Sequence, residues 1–192
     1  MAELIDRFEA KNPAIRTQIC VANTQKIEEM LCKSELDIAL VEGKIKHEEL
    51  IVRPVIRDEL VLACGRKHPF FTRNAIALHE LSHQPMILRE EGSGTRELFC
   101  DCLEQEGVVI EPKWTCHTAD AILNAVECNQ GITVISKMLA APREAAGRLR
   151  IIPIQDKTFE RSFSIVHHKN KYFSKSLTQL VNQITSDYSD FG

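Results

Sequence analysis

The chain has 192 residues, 44% of them apolar and 27% charged, a globular composition with room for one large domain or two small ones, which excludes disordered and fibrous classes. Its longest apolar runs, residues 38–41 and 60–64, fall far short of the roughly 20 residues that span a bilayer. Met1 leads into Ala-Glu-Leu-Ile-Asp-Arg-Phe, with charges where a signal peptide carries its apolar stretch, so no membrane partner and a cytoplasmic location are expected. The net charge of −3, with Lys and Arg scattered among acids, lacks the basic footprint of a nucleic-acid binder, so any DNA contact is expected from a segment outside this chain.

Apolar periods alternate between helix-like and strand-like from end to end, the pattern of an α/β protein. Leu4, Ile5 and Phe8 line an opening helix that Asn12-Pro13 ends, and residues 17–21 read as a strand. Asn23 or Thr24 can cap a helix with Ile27, Met30 and Leu31 inward. Residues 37–41 form a continuous apolar run, as in a strand buried on both faces. Two β-rich runs follow, 50–56 and 60–64, split by Arg57-Asp58-Glu59.

After Gly65-Arg-Lys-His-Pro69 the pattern restarts: a short helix near 78–81, a strand at 86–88, the turn Glu90-Glu-Gly-Ser-Gly94, and a helix from Thr95 that Gly107 ends, with Leu98, Phe99, Cys102 and Leu103 as its stripe. A strand at 113–117 precedes a helix over 118–128, packed through Ala121, Ile122, Ala125 and Val126. Residues 132–135, 149–154 and 162–167 are strands, and a last helix from Ser174 carries Leu177, Leu180, Val181 and Ile184. Trp114, beside Pro112, is expected in the core.

The seven cysteines are odd in number, four lie in apolar periodic segments, and none forms Cys-x-x-Cys. They read as reduced core thiols, with no structural metal. The seven histidines are dispersed, and His167-His168 beside Lys169 and Lys171 reads as a solvated edge.

Gly92-Ser93-Gly94-Thr95-Arg96 joins a buried strand to a helix. Its glycines permit a tight turn while the first amides of the helix, with the Ser93 and Thr95 hydroxyls, can hold an anion; the same residue types also make a plain helix cap. Arg96 either faces that anion or pairs with an acid on the helix surface. Thr118-Ala-Asp120 repeats the strand-to-helix junction, and Glu42-Gly43 after the run 37–41 is a third candidate wall or a solvated turn acid. No base can be tied to Ser93, so no catalytic residue and no cofactor are expected.

Leu36-Asp37-Ile-Ala-Leu-Val-Glu-Gly43, Asp58-Glu-Leu-Val-Leu62, His68-Pro69, Ile87-Leu-Arg-Glu-Glu-Gly-Ser-Gly-Thr-Arg96 and Gly131-Ile-Thr-Val-Ile135, in this order, resemble the effector-binding domain of LysR-type transcriptional regulators. The extended Arg-Glu-x-Gly-Ser-Gly-Thr-Arg form is similar to the branch that regulates sulfur assimilation and carbon fixation. The resemblance implies an α/β fold of two Rossmann-like lobes joined by two crossover strands, similar to type 2 periplasmic binding proteins. The lobes would be residues 1–64 with 162–192, and 65–161, and the crossovers 60–64 and 162–167. It further implies a small anionic effector in the cleft between lobes, held by Ser93, Gly94, Thr95, Arg96 and Thr118 with Glu42 opposite.

Implied partners are a second copy in a homodimer, with a tetramer at full length, and DNA only through an N-terminal winged helix-turn-helix that this sequence lacks. Leu4, Phe8, Ile122 and Val126 are expected to supply the apolar core of the dimer contact. The family opens this domain with a strand and a Ser/Thr-rich loop, whereas this sequence opens on the first helix. Three other readings stand beside the sensor: a two-lobe enzyme acting on a carboxylated substrate, for which only Glu42 and His117 offer acid or base; a transport-type binding protein, opposed by the free thiols; and a cysteine-based redox sensor, opposed because Gly94 stands where such relatives carry the reactive cysteine.

Overall fold

The structure, a computed structural model, describes residues 2–188. The chain divides into two compact units, Met1–Arg57 with Ser162–Gly192, and Asp58–Arg161. Two long strands run across the divisions, β2 (Leu50–Gly65) and β7 (Phe159–His168). The first division therefore falls inside β2 rather than at its end.

In the first unit, α1 (Ala2–Lys11) turns Leu4 and Phe8 inward, and Leu4 packs with Ile165 of β7 and with Val181 and Ile184 of α6 (Lys175–Tyr188). Arg7 pairs with Asp187, and Gln183 Nε2 donates to the Leu4 carbonyl at 2.9 Å, tying the two helices together. Asn23 caps α2 (Thr24–Cys32) by accepting from the Lys26 amide at 3.0 Å, which lets Ile27 and Leu31 pack against Val41, Leu50 and Val166.

The run 37–41 forms only the three-residue strand β1 (Ala39–Val41), antiparallel to β7 with Leu40 opposite Ile165. Of its residues only Val41 is buried, so it is not a strand covered on both faces. Residues 17–21 form no strand. The Thr17 amide is committed to the Glu9 carboxylate at 3.0 Å instead of a neighbouring strand, and Ile19 and Val21 stand 55% and 93% exposed. The Thr17 hydroxyl, and then its amide, hold the Glu9 carboxyl below the usual range.

The second unit carries strands in the order β6–β2–β5–β3–β4. β5 (Ile132–Ser136) and β4 (Pro112–Cys116) flank β3 (Met86–Arg89) in parallel, with Met86 opposite Ile132 and Arg89 opposite Cys116. β2 is antiparallel to β5, Leu60 opposite Ser136, and to β6 (Leu149–Ile152). The side-chain period of two sends Leu60, Leu62 and Cys64 to one face, with Phe99 and Leu103 of α3 (Gly94–Gln105), and Val61 and Ala63 to the other, with Ile122, Leu123 and Val126 of α4 (Ala119–Glu127). Both faces are covered, which explains why this half of β2 reads as unbroken apolar sequence.

Several expectations change. The runs 50–56 and 60–64 are one continuous strand of 16 residues, because Asp58, the supposed break, is buried with partners described below. Trp114 is 42% exposed, since β4 is the edge of its sheet. A helix that sequence periodicity did not signal, α5 (Lys137–Ala145), follows β5 directly; it buries only Ala140, leaves Met138 and Leu139 half exposed, and contains Pro142. Leu4, Phe8, Ile122 and Val126 are each at most 2% exposed, so they present almost no apolar surface to a second copy.

Candidate functional site

At the carboxyl edge of the second unit's parallel strands, three strands each feed a helix: β3 into α3, β4 into α4 and β5 into α5. β3 and β4 are joined at this edge, where the Glu90 amide donates to the Cys116 carbonyl at 3.2 Å. Ser93 and Thr118 are therefore both N-cap residues on one edge of one sheet. Gly92, at φ 82°, adopts the left-handed conformation that turns the chain out of β3 and into α3.

The two caps differ. The Thr118 hydroxyl accepts from the Ala121 amide at 3.3 Å and so caps its own helix. Ser93 stands in the same position of α3 and makes no capping bond; its residue is 1% exposed, and its Oγ is a buried side-chain oxygen without a partner. A buried hydroxyl left unpaired costs about 1–3 kcal/mol. The helix bond ladder starts only with the Glu97 amide on the Ser93 carbonyl, at 2.9 Å, so the amides before it add donors and the positive end of the helix dipole at the same place.

Thr95, the second residue of α3, is also buried, and its Oγ1 accepts from Arg161 Nη1 at 2.8 Å. Arg161 Nε donates to Asp58 Oδ2 at 2.7 Å, and the Ser136 hydroxyl donates to Asp58 Oδ1 at 2.9 Å. The pair is dry: the two side chains are 6% and 0% exposed. Sequence reading missed all three residues. Arg161 is 66 positions from Thr95, and the one available signal was an acid, Asp58, set in a run that is otherwise fit for burial.

Arg96 lies half-buried with Nη1 3.3 Å from the Arg89 carbonyl and Nη2 3.4 Å from the Glu91 carboxylate, the pairing with an acid that its position on the first turn also allowed. Glu90, buried at the end of β3, accepts from Arg89 Nε at 2.8 Å and Nη2 at 3.0 Å, and lies 4.0 Å from His117 Nδ1. Burial opposes its charge, yet the hydrogen bonds and charge of Arg89 leave its carboxyl below the usual range, the wrong direction for a general acid at neutral pH. Glu42 follows β1 in the first unit, half-buried.

All seven cysteines are free. Burial pushes the thiols of Cys32, Cys100 and Cys102 up and that of Cys64 to about 11, the opposite of the activation that a redox sensor needs. Among the described residues no group of three or more His, Cys, Asp or Glu is placed to hold a metal ion, and no helix is long and apolar enough to cross a membrane.

Comparison with known proteins agrees with this architecture. The family described as the LysR substrate binding domain matches residues 1–188. The HTH-type transcriptional regulator CysL of Bacillus subtilis (strain 168) is 24% identical over 185 residues, covering 96% of this chain and 62% of that protein. The uncharacterized HTH-type transcriptional regulator YeiE of Escherichia coli (strain K12) is 28% identical over 187 residues, 97% of this chain and 62% of its own length. The chain thus spans about six tenths of these curated relatives. Among solved structures, the Synechocystis PCC6803 CcmR regulatory domain in complex with 2-PG superposes with a TM-score of 0.89 at 23% identity, covering 98% of this chain and 91% of that one. The fold is the α/β, type 2 periplasmic-binding-protein-like fold of such regulatory domains. These matches place the chain in the LysR substrate binding domain family, a regulatory and not an enzymatic family.

Proposed function

We propose that this chain is the sensing part of a LysR-type transcriptional regulator working in the cytoplasm, and that it binds a small anion at the β3–α3 turn, with Ser93, Gly94 and Thr95 as donors. The observation that carries the reading is the Ser93 hydroxyl, 1% exposed and without a hydrogen-bond partner. A ligand oxygen would satisfy it together with the first amides of α3, a charge-assisted arrangement of the kind helix N-termini offer. Arg96 and Thr118 border the same edge, and Glu42 remains a candidate from the first unit. Anion binding would bias a homodimer, or a tetramer at full length, between two arrangements and so alter transcription through a DNA-binding segment outside this chain.

The test is a thermal-shift and calorimetric titration with sulfate, phosphate, acetate and 2-PG, the ligand of the CcmR domain. At least one should raise the melting temperature of the wild type, and Ser93→Ala should weaken its binding about ten- to a hundredfold. Equal binding by wild type and Ser93→Ala, with the fold intact, would leave the turn a plain helix start.

A further inference from the structure

Arg161 and Asp58 are the last and first residues of the second unit, and their ion pair is more than a clasp between its two ends, because the same guanidinium also holds a hydroxyl of the anion turn. We propose that Arg161 is a positioning residue for that site: it fixes the Thr95 hydroxyl with its oxygen toward the guanidinium, so that its proton is presented to a bound oxyanion. This rests on the reading that the β3–α3 turn binds an anion.

The geometry constrains Arg161 tightly. Its planar fork places Nε on Asp58 Oδ2 at 2.7 Å and Nη1 on Thr95 Oγ1 at 2.8 Å, and Ser136 fixes the other Asp58 oxygen at 2.9 Å. A rigid guanidinium can serve two partners at set angles, which a lysine ammonium on a flexible stem does not reproduce. The bond from a cationic donor occupies a lone pair on the Thr95 oxygen, turns the hydroxyl proton away from Arg161, and makes that proton a stronger donor. Thr95 is 5% exposed and lies in the first turn of α3, beside the N-cap Ser93 with its unpartnered hydroxyl, so two hydroxyls and the first amides of α3 are offered together.

Asp58 gives this arrangement its second property. A buried guanidinium without a counter-charge would be costly whenever the anion is absent, whereas the Asp58 carboxylate keeps the pair neutral in the empty protein. The anion then meets oriented neutral donors, and Arg161 contributes direction rather than net charge.

The experiment is a double-mutant cycle, Thr95→Val with Arg161→Met, read by calorimetric titration with sulfate, phosphate, acetate and 2-PG, alongside Arg161→Lys and the melting temperature of each variant. Each single substitution should weaken binding about tenfold. The double variant should bind no more weakly than the worse single one, and Arg161→Lys should bind as poorly as Arg161→Met. If Arg161→Met does not fold, the neutral pair Asp58→Asn with Arg161→Gln takes its place in the same cycle. Additive losses, wild-type affinity in Arg161→Met, or full affinity in Arg161→Lys would each overturn the positioning role while leaving the anion turn standing if Ser93→Ala and Thr95→Val still weaken binding. Failure of the wild-type chain to bind any of the four anions would overturn both.

Discussion

The carbonyl oxygen of Pro85 lies 2.1 Å from the place a Cβ on Gly131 would occupy, and the same carbonyl accepts the Ile132 amide at 3.0 Å. The loop entering β3 and the loop entering β5 meet backbone to backbone here, and this contact sets the start of the parallel pairing, Met86 opposite Ile132. Gly131→Ala should therefore destabilise the protein by about 3 kcal/mol, the upper end of the usual cost of forcing extra volume into close packing, because the clash is with backbone. Gly107→Ala is the comparison: its added Cβ meets nothing within 4 Å, and only its φ of +63° opposes it, so its cost should stay near 1–2 kcal/mol. Urea denaturation of both variants orders them; equal or reversed losses would contradict the close-approach account.

Ser93→Ala and Thr118→Val should move stability in opposite directions in the absence of anion. Thr118 caps α4 through the Ala121 amide, and losing such a cap costs about 1 kcal/mol. Ser93 makes no such bond, so removing its hydroxyl relieves an unpaired buried group and should leave the melting temperature level or raise it. With anion present the order reverses: Ser93→Ala loses affinity and Thr118→Val largely keeps it.

The Cys64 thiol, pushed to about 11 by burial, should stay protonated and unreactive at pH 8, while exposed Cys20 and Cys128 react quickly with a thiol probe. The folded pKa of Cys64 lies above the free-thiol value of 9.0, so its contribution is fully present below pH 9 and is lost as pH rises toward 11, where unfolding releases a proton. About 2–3 kcal/mol of stability is at stake over that window. Cys64→Ser would place a hydroxyl in a fully buried apolar site, so Cys64→Ala is the cleaner variant, and it should flatten the alkaline limb of the stability curve.

Because Leu4 is buried in its own unit against Ile165, Val181 and Ile184, Leu4→Ala should lower stability by about 2–5 kcal/mol without changing the mass seen by sedimentation velocity at a concentration where it remains folded. A dimer that dissociates on this substitution would return the residue to the contact between copies.

The amino-acid sequence by itself determined the α/β class and most of the strand-to-helix alternation, because side-chain periods of two and 3.6 are local properties. It also carried the Ser93–Arg96 turn, whose glycines and hydroxyls adjoin in sequence. Tertiary structure alone decided the rest. Asp58 looked like a break between strands until Arg161, 103 residues away, neutralised it inside one continuous strand. Residues 17–21 looked like a strand until Glu9 took the Thr17 amide, and α5 gave no periodic signal because it covers its sheet with little more than Ala140. The partner of a buried charge, or the absence of one for the Ser93 hydroxyl, depends on which distant segment packs against it, and that information is set only when the chain is folded.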